Sequence, residues 1–194
     1  MPATSDIAEL QRRVALFEDM DAYKELYHHY FDGLHRFVWS FVKSNEVAEE
    51  IVSDVFIKIW QVRVRLTEIE NLRVYLYTIA RNFSLNYLQR SQKNPPLSLE
   101  QVAIEPVVEF GNPEDIFITA ELKQRIRQII RELPSQCRII FQLVKEEGLA
   151  YKEAAEILQV SPLTVRNQLA IAIKKIAAAL PEPEQNLRIK KSLP

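Results

Sequence analysis

The sequence predicts an all-α protein made of two small helical domains joined by a linker. Apolar residues recur at spacings of three and four in nearly every regular segment, which is the period of an amphipathic helix. No segment shows the sustained apolar–polar alternation of a half-buried strand, and the 194 residues include only 3 glycines. A proline-containing stretch separates the two helical halves, which predicts two domains rather than one.

Three long helices are expected in the first half of the chain. The first runs from about residue 21 to 42 and carries one apolar stripe. The second begins at Asn45, its predicted N-cap, and places glutamates near the positive end of the helix dipole. The third follows Asn71, which is also a predicted N-cap. Its predicted buried face consists of Leu72, Leu76, Ile79, Ala80, Phe83 and Tyr87.

The composition changes after the third helix. Residues 93–113 contain several prolines and no sustained period, which predicts a linker. Acidic residues without Lys or Arg occupy 94–122, so the near-neutral net charge of −1 hides a patterned chain. Helices then resume, and Gly148 is predicted to end one of them. The expected organisation is a first domain at 14–92, the linker at 93–113, a second domain at 114–181 and a tail at 182–194.

A helix-turn-helix is the most specific pattern in the chain. Residues 151–169 combine a short helix, a three-residue turn and a second helix. Ser161 is expected to cap the second helix through its hydroxyl, and Pro162 suits its first position. Gln159 is expected in a left-handed conformation, at a cost of about 1 kcal/mol. The apolar positions of the second helix would then face inward.

The outward face of the second helix suits nucleic acid. Arginine can bind guanine through two hydrogen bonds and asparagine can bind adenine, while two lysines further along add electrostatic affinity. The candidate DNA-contacting residues are Ser161, Pro162, Thr164, Arg166, Asn167, Ala170, Lys174 and Lys175. The alternative is an ordinary helical hairpin within an all-α protein. The pattern favours DNA binding.

Several function classes have no support in the sequence. There is no P-loop, Gly-rich dinucleotide turn or Ser-His-Asp arrangement, so no enzyme is expected. The three histidines lack the ligand spacing of a metal site, and no metal or cofactor is expected. The single cysteine, Cys137, is expected to be a buried thiol and suits a reducing cytoplasm. Without a visible signal peptide or membrane span, a cytoplasmic protein with no membrane insertion of its own is expected.

Three stretches resemble one known family, in the family's order. "EVAEEIVSDVFIKIW" resembles region 2.2 of bacterial RNA polymerase sigma factors, and "NLRVYLYTIARNFSLNYLQR" resembles regions 2.3 to 2.4. "LPSQCRIIFQLVKEEGLAYKEAAEILQVSPLTVRNQLAIAIKKI" resembles region 4. Their order, spacing and the short chain resemble the extracytoplasmic-function (ECF) subfamily of the sigma-70 family over about residues 20–180. The resemblance implies a factor that directs core RNA polymerase to specific promoters and initiates transcription.

The resemblance also implies three interfaces. Region 2.2 would dock on the β′ clamp of core polymerase, with region 4 near the β flap. The implied core-binding residues are Glu50, Ser53, Asp54 and Ile57. Region 4 would read the −35 element, and regions 2.3 and 2.4 would melt and capture the −10 element. The implied −10 residues are Thr67, Glu68, Asn71, Arg73, Tyr75, Tyr77, Arg81, Asn82, Asn86 and Arg90. Basic and aromatic side chains are interleaved among them, a pattern that suits single-stranded DNA.

An anti-sigma factor that holds the protein off polymerase is a further implication of the resemblance. Ile171 and Ile173 stand where basic residues are common in the family. They either widen the contact of the helix with the apolar core of the domain or face such an inhibitor. The main alternative is a stand-alone helix-turn-helix regulator that binds operator DNA without polymerase. A helical adaptor with no nucleic-acid role is the third reading.

Overall fold

The computed structural model describes residues 4–91, 126, 128–130 and 132–178. Within these ranges every regular element is a helix and none is a strand, which confirms the predicted fold class. The predicted linker at 93–113 and the tail at 182–194 lie outside the described residues, as does most of the helix predicted after residue 114.

The first half of the chain forms a helical bundle. Its elements are α1 (Thr4–Phe17), α2 (Met20–Val42), α3 (Asn45–Gln61), the 3-10 helix η1 (Arg63–Glu68) and α4 (Leu72–Ser91). The longest of these, α2, contacts α1, α3 and α4, and its side chains Leu34 and Phe37 are completely buried. The predicted helix at 21–42 is therefore confirmed and lies at the centre of the bundle.

The helix α1 was not predicted from the sequence. Ile7, Leu10 and Val14 are nevertheless buried against the rest of the bundle. The Nε2 of Gln11 also donates hydrogen bonds to the carbonyl oxygens of Leu66 and Ile69, at 3.1 and 3.2 Å. This helix therefore holds the backbone of η1 and of the residues that lead into α4.

Side chains cap the N-termini of α3 and α4. The prediction of Asn45 as the N-cap of α3 is wrong by one residue, because the Oγ of Ser44 accepts a hydrogen bond from Val47 N at 3.3 Å and Asn45 is already helical. Serine and asparagine cap about equally well, so the sequence cannot rank two such neighbours. The prediction of Asn71 is confirmed, since its Oδ1 accepts a hydrogen bond from Val74 N at 3.1 Å.

The buried surface of α4 is wider than one stripe. Four of its predicted core residues (Leu72, Leu76, Ile79 and Ala80) are buried as expected, and Phe83 is partly buried. Tyr87 is 37% exposed, so its assignment to the core is wrong. Neighbouring helices contact α4 on several sides. The helix therefore also buries Val74, Tyr77, Arg81, Ser84 and Leu88.

Besides the helical residues 126 and 128–130, three helices lie in the described part of the second half. They are α5 (Ser135–Phe141), which continues into a π-helical turn at Gln142–Glu146, then α6 (Tyr151–Leu158) and α7 (Pro162–Ala178). Gly148 has a φ of +67°, as expected for the residue that ends a helix in the left-handed region. Both α5 and α6 pack against α7.

The two halves pack against each other in this structure. One apolar cluster contains core residues of α1 to α4 together with residues from α5, α6 and α7, among them Ile140, Leu143 and Leu158. The main helix contact between the halves joins α4 to α6. A smaller cluster of Ile126, Ile130, Leu133, Cys137 and Ala172 lies within the second half. Among the described helices none has the length and hydropathy needed to cross a membrane.

Candidate functional site

The helix-turn-helix has the geometry that the sequence predicted. Gln159 lies in the left-handed region, with φ 56° and ψ 44°. The Oγ of Ser161 accepts a hydrogen bond from Thr164 N at 3.0 Å and lies 2.9 Å from the hydroxyl of Thr164. Val165 and Leu169 are completely or almost completely buried. The N-terminus of α7 is thereby fixed, with its polar residues turned outward.

The outward face of α7 is cationic. Of the candidate residues, Ser161, Pro162, Arg166, Asn167, Ala170, Lys174 and Lys175 are exposed and Thr164 is partly exposed. The helix contains three basic residues and no Asp or Glu, so its field attracts a polyanion. A free helix N-terminus also presents N–H groups that favour phosphate.

Ile171 and Ile173 of α7 have different environments. Ile173 is partly buried and packs on the apolar core, whereas Ile171 is 44% exposed. Ile171 therefore adds an apolar position to the outer face of the helix beside the lysines.

Cys137 is buried, as expected. Its thiol donates a hydrogen bond to the Oε1 of Gln168 at 2.8 Å, and burial raises the pKa of the thiol above its ordinary value. A neutral, hydrogen-bonded thiol is a poor nucleophile. Among the described residues no group of three or more His, Cys, Asp or Glu side chains is placed to hold a metal ion.

One face of α3 is acidic and solvent-exposed. Glu50, Ser53, Asp54 and Ile57 are all exposed, and the apolar side chain of Ile57 is 53% exposed. The hydroxyl of Ser53 donates to the carbonyl oxygen of Glu49 at 2.8 Å within the helix. The four predicted core-binding residues are thus all exposed on α3, with two carboxylates at positions 50 and 54 and an apolar side chain one turn further along the helix.

The predicted −10 residues do not share one surface. Thr67, Glu68, Asn71, Asn82, Asn86 and Arg90 are exposed, while Arg73 and Tyr75 are partly buried. Tyr77 and Arg81 were expected on the exposed face, but they are only 1% and 9% exposed. Burial lowers the pKa of Arg81, whose Nη1 donates to the Oδ1 of Asn82 at 3.1 Å. Periodicity could not place these two side chains, because helices cover α4 on more than one side.

Sequence reasoning missed a charged cluster between the halves. The Glu147 cluster consists of Gly33 and Arg36 on α2, Arg73 and Tyr77 on α4, and Glu147 just after the π-helical turn. The Glu147 carboxylate accepts hydrogen bonds from Arg36 Nη2 at 2.9 Å and from the Tyr77 hydroxyl at 2.8 Å. Arg73 Nη2 lies 3.6 Å from the Glu147 carboxylate and also donates to the Glu147 carbonyl oxygen. No local pattern in the sequence relates residues so far apart in the chain.

Comparison with known proteins identifies the fold units. The family profile described as "Sigma-70 region 2" matches residues 26–94, and "Sigma-70, region 4" matches residues 123–176. The ECF RNA polymerase sigma-E factor of Escherichia coli (strain K12) is 30% identical over 159 residues, which cover 78% of this chain and 82% of that protein. This chain belongs to the ECF sigma factors of the sigma-70 family. The sigma-E factor of Salmonella typhimurium (strain LT2) matches to the same extent.

A more distant relative and a solved structure are also similar to this chain. The ECF sigma factor SigM of Bacillus subtilis (strain 168) is 23% identical over 154 residues, covering 79% of this chain and 92% of that protein. The solved structure of CnrH in complex with the cytosolic domain of CnrY has a TM-score of 0.58 at 19% identity and covers 89% of this chain. The described helices of this sigma factor thus include those of region 2 and region 4, and α1 precedes the region 2 match. Sigma factors are DNA-binding transcription initiation factors.

Proposed function

We propose that this sigma factor divides promoter recognition between three surfaces. The outward face of α7 reads the −35 element, α4 with η1 captures the −10 element, and the acidic face of α3 docks on core RNA polymerase. The observation that carries the proposal is the outward face of α7, which combines a capped N-terminus with three basic residues and no acid.

At the −35 element, base reading and phosphate binding fall to different residues. Arg166 and Asn167 lie in the second turn of α7 and are exposed, where they can reach base edges in the major groove. Lys174 and Lys175 lie two turns later and contribute sequence-independent affinity for phosphates. Three basic residues give this helix modest affinity for DNA when it acts by itself, so the polymerase must add affinity.

At the −10 element, the exposed second half of α4 carries the first contacts. Asn82, Asn86 and Arg90 are accessible, and η1 contributes Thr67 and Glu68 at the other end. Among the predicted −10 residues, Tyr75 is the tyrosine that remains partly exposed for stacking on a base. Tyr77 and Arg81 are not part of the accessible surface in this conformation.

Docking on core polymerase uses the acidic face of α3. Glu50 and Asp54 present two carboxylates at a spacing of four residues, next to the exposed Ile57. An apolar side chain beside two acids suits a partner with an apolar pocket and a basic rim. The β′ clamp is the proposed partner for this face, and the β flap for region 4.

An anti-sigma factor is the proposed regulator. The structurally similar CnrH is solved in complex with the cytosolic domain of CnrY, and the exposed Ile171 offers an apolar contact on region 4 for such a partner. Inhibition by the anti-sigma factor and initiation of transcription would both take place in the cytoplasm, where polymerase and promoter DNA are found.

Run-off transcription with purified core polymerase tests the proposal. We expect transcripts that start at defined promoters only when the full-length chain is added. The control is the chain with Glu50→Lys and Asp54→Lys, which keeps region 4 intact. Binding to duplex DNA that neither needs nor is enhanced by core polymerase would instead identify a stand-alone helix-turn-helix regulator.

A further inference from the structure

The Glu147 cluster joins region 4 to region 2 through a buried carboxylate. The Glu147 side chain is 9% exposed, and the side chains of its partners Arg36 and Arg73 are 22% and 32% exposed. The Tyr77 hydroxyl gives the carboxylate a third partner, and burial together with the nearby carboxylate raises the pKa of Tyr77 well above its ordinary value. The tyrosine therefore stays protonated and donates. All three donors belong to the first half of the chain, so they surround the carboxylate only while the two halves are in contact.

A close approach of α2 makes this geometry possible. A Cβ atom built on Gly33 would lie 2.5 Å from the Tyr77 hydroxyl and 2.7 Å from the Glu147 Oε2. An alanine at this position would require the Tyr77 hydroxyl or the Glu147 carboxylate to move from its place in the cluster. The space for the carboxylate therefore exists because residue 33 has no side chain.

The contact covers one end of the surface that we propose for −10 DNA. Arg73 is engaged by both the carboxylate and the carbonyl oxygen of Glu147. The Nδ2 of Asn71 donates to the Oε1 of Glu153 on α6 at 2.6 Å. Two side chains at the start of α4 are thus held by region 4 itself. Asn71 keeps solvent exposure despite this bond, as do Asn82, Asn86 and Arg90, whereas Arg73 is partly buried.

We propose that the Glu147 cluster is an autoinhibitory lock. It holds region 4 closed over the start of α4, and the chain must open before Asn71 and Arg73 can bind single-stranded promoter DNA. The second part of this inference rests on the proposed function of α4. When a chain exists in a closed and an open state and a ligand binds only the open state, the apparent affinity is the intrinsic affinity multiplied by the fraction of open molecules. Weakening the lock should therefore raise DNA affinity in proportion to the gain in the open fraction.

The conformational test needs neither polymerase nor DNA. Spin labels at Glu25→Cys on α2 and Lys152→Cys on α6, two exposed positions on opposite halves, report the interdomain distance in a Cys137→Ser background. We expect one narrow distance distribution for the otherwise unchanged chain. Glu147→Gln should add a longer-distance population and raise the ratio of open to closed molecules about tenfold, because it removes the charge that the two arginines surround. Glu156→Gln is the matched control, since it removes an exposed charge from α6 and should leave the distribution unchanged.

A second variant separates the lock from the charge change. In Gly33→Ala combined with Tyr77→Phe, the new methyl group meets the Glu147 carboxylate but no longer a tyrosine hydroxyl. This variant should open the chain with no change in net charge. Circular dichroism checks that its helix content is retained. An unchanged distance distribution in both this variant and Glu147→Gln overturns the lock.

The functional test uses a fluorescein-labelled, mixed-sequence single-stranded 20-mer as the probe. Its affinity should rise in the Gly33→Ala, Tyr77→Phe variant by the same factor as the open fraction. Opening without a gain in affinity overturns the autoinhibitory role. If the proposed −10 role of α4 is wrong, adding Arg73→Ala to the opened variant leaves the affinity for the 20-mer unchanged. A failure of the lock is a separate outcome, because it appears as an unchanged distance between the spin labels.

Discussion

The strained turn of the helix-turn-helix gives a stability prediction that can be worked from the structure. Gln159 has a φ of 56° and is exposed, so its side chain contributes little packing. A non-glycine residue in the left-handed region costs about 1–2 kcal/mol. Glycine removes that cost but loses about 0.5–1 kcal/mol of additional chain entropy on folding. Gln159→Gly should therefore stabilise the protein by about 0.5–1 kcal/mol, which raises the Tm by about 2 °C for a chain of this size.

Thermal unfolding followed by far-UV circular dichroism is the assay. Gln159→Ala is the matched control, because alanine removes the same side chain but keeps the Cβ atom and hence the strain. Gly148→Ala is the reciprocal change. Gly148 has a φ of +67° and an added Cβ would meet nothing within 4 Å, so the loss of about 1 kcal/mol there is backbone strain alone. Equal Tm values for Gln159→Gly and Gln159→Ala would refute the assignment of strain to this turn.

The remaining predictions concern the proposed interfaces and pH. Asn167→Ala should change base preference at the −35 element, whereas Lys174→Ala should weaken binding about evenly across sequences; equal losses on all promoters for both would show that the reading face is misassigned. Glu50→Lys with Asp54→Lys should reduce retention by immobilised core polymerase, and unchanged retention would remove the docking face. Burial raises the pKa of Glu146 to about 7, above its ordinary value of 4.5. Between these two pH values the closed form therefore binds more protons than the open form, and it loses stability as the pH rises. The open fraction should grow from pH 5 to 7.5, and Glu146→Gln should reduce this dependence of the open fraction on pH.

Local signals in the sequence predicted the elements that carry the proposed −35 interface. Ser161, Pro162 and the inward position of Val165 follow from capping chemistry and helical period, which depend on residues within two turns of each other. The same reasoning failed by one residue at Asn45, because its neighbour Ser44 is an equally good cap. The sequence therefore gives the type of an element more reliably than its first residue.

Contacts between distant segments could not be predicted in this way. Tyr77 and Arg81 lie outside the apolar stripe that was predicted for α4. They are buried because other helices pack around α4. The ion pair of Arg36 with Glu147 spans 111 positions in the chain, and no local spacing in the sequence relates the two residues. The helix α1 was missed because its polar residues obscure the four buried apolar positions.

The π-helical turn at Gln142–Glu146 determines where Glu147 points. A π-helical turn accommodates one residue more than an α-helical turn, and each residue rotates the helix by about 100°. Deleting a single residue from this turn would allow α5 to continue as a regular helix and would aim residue 147 about a quarter turn or more away from α2 and α4. The register of one helical turn thus sets whether Glu147 faces its partners on α2 and α4, and a one-residue insertion or deletion there would uncouple the two regions without changing any residue of the cluster.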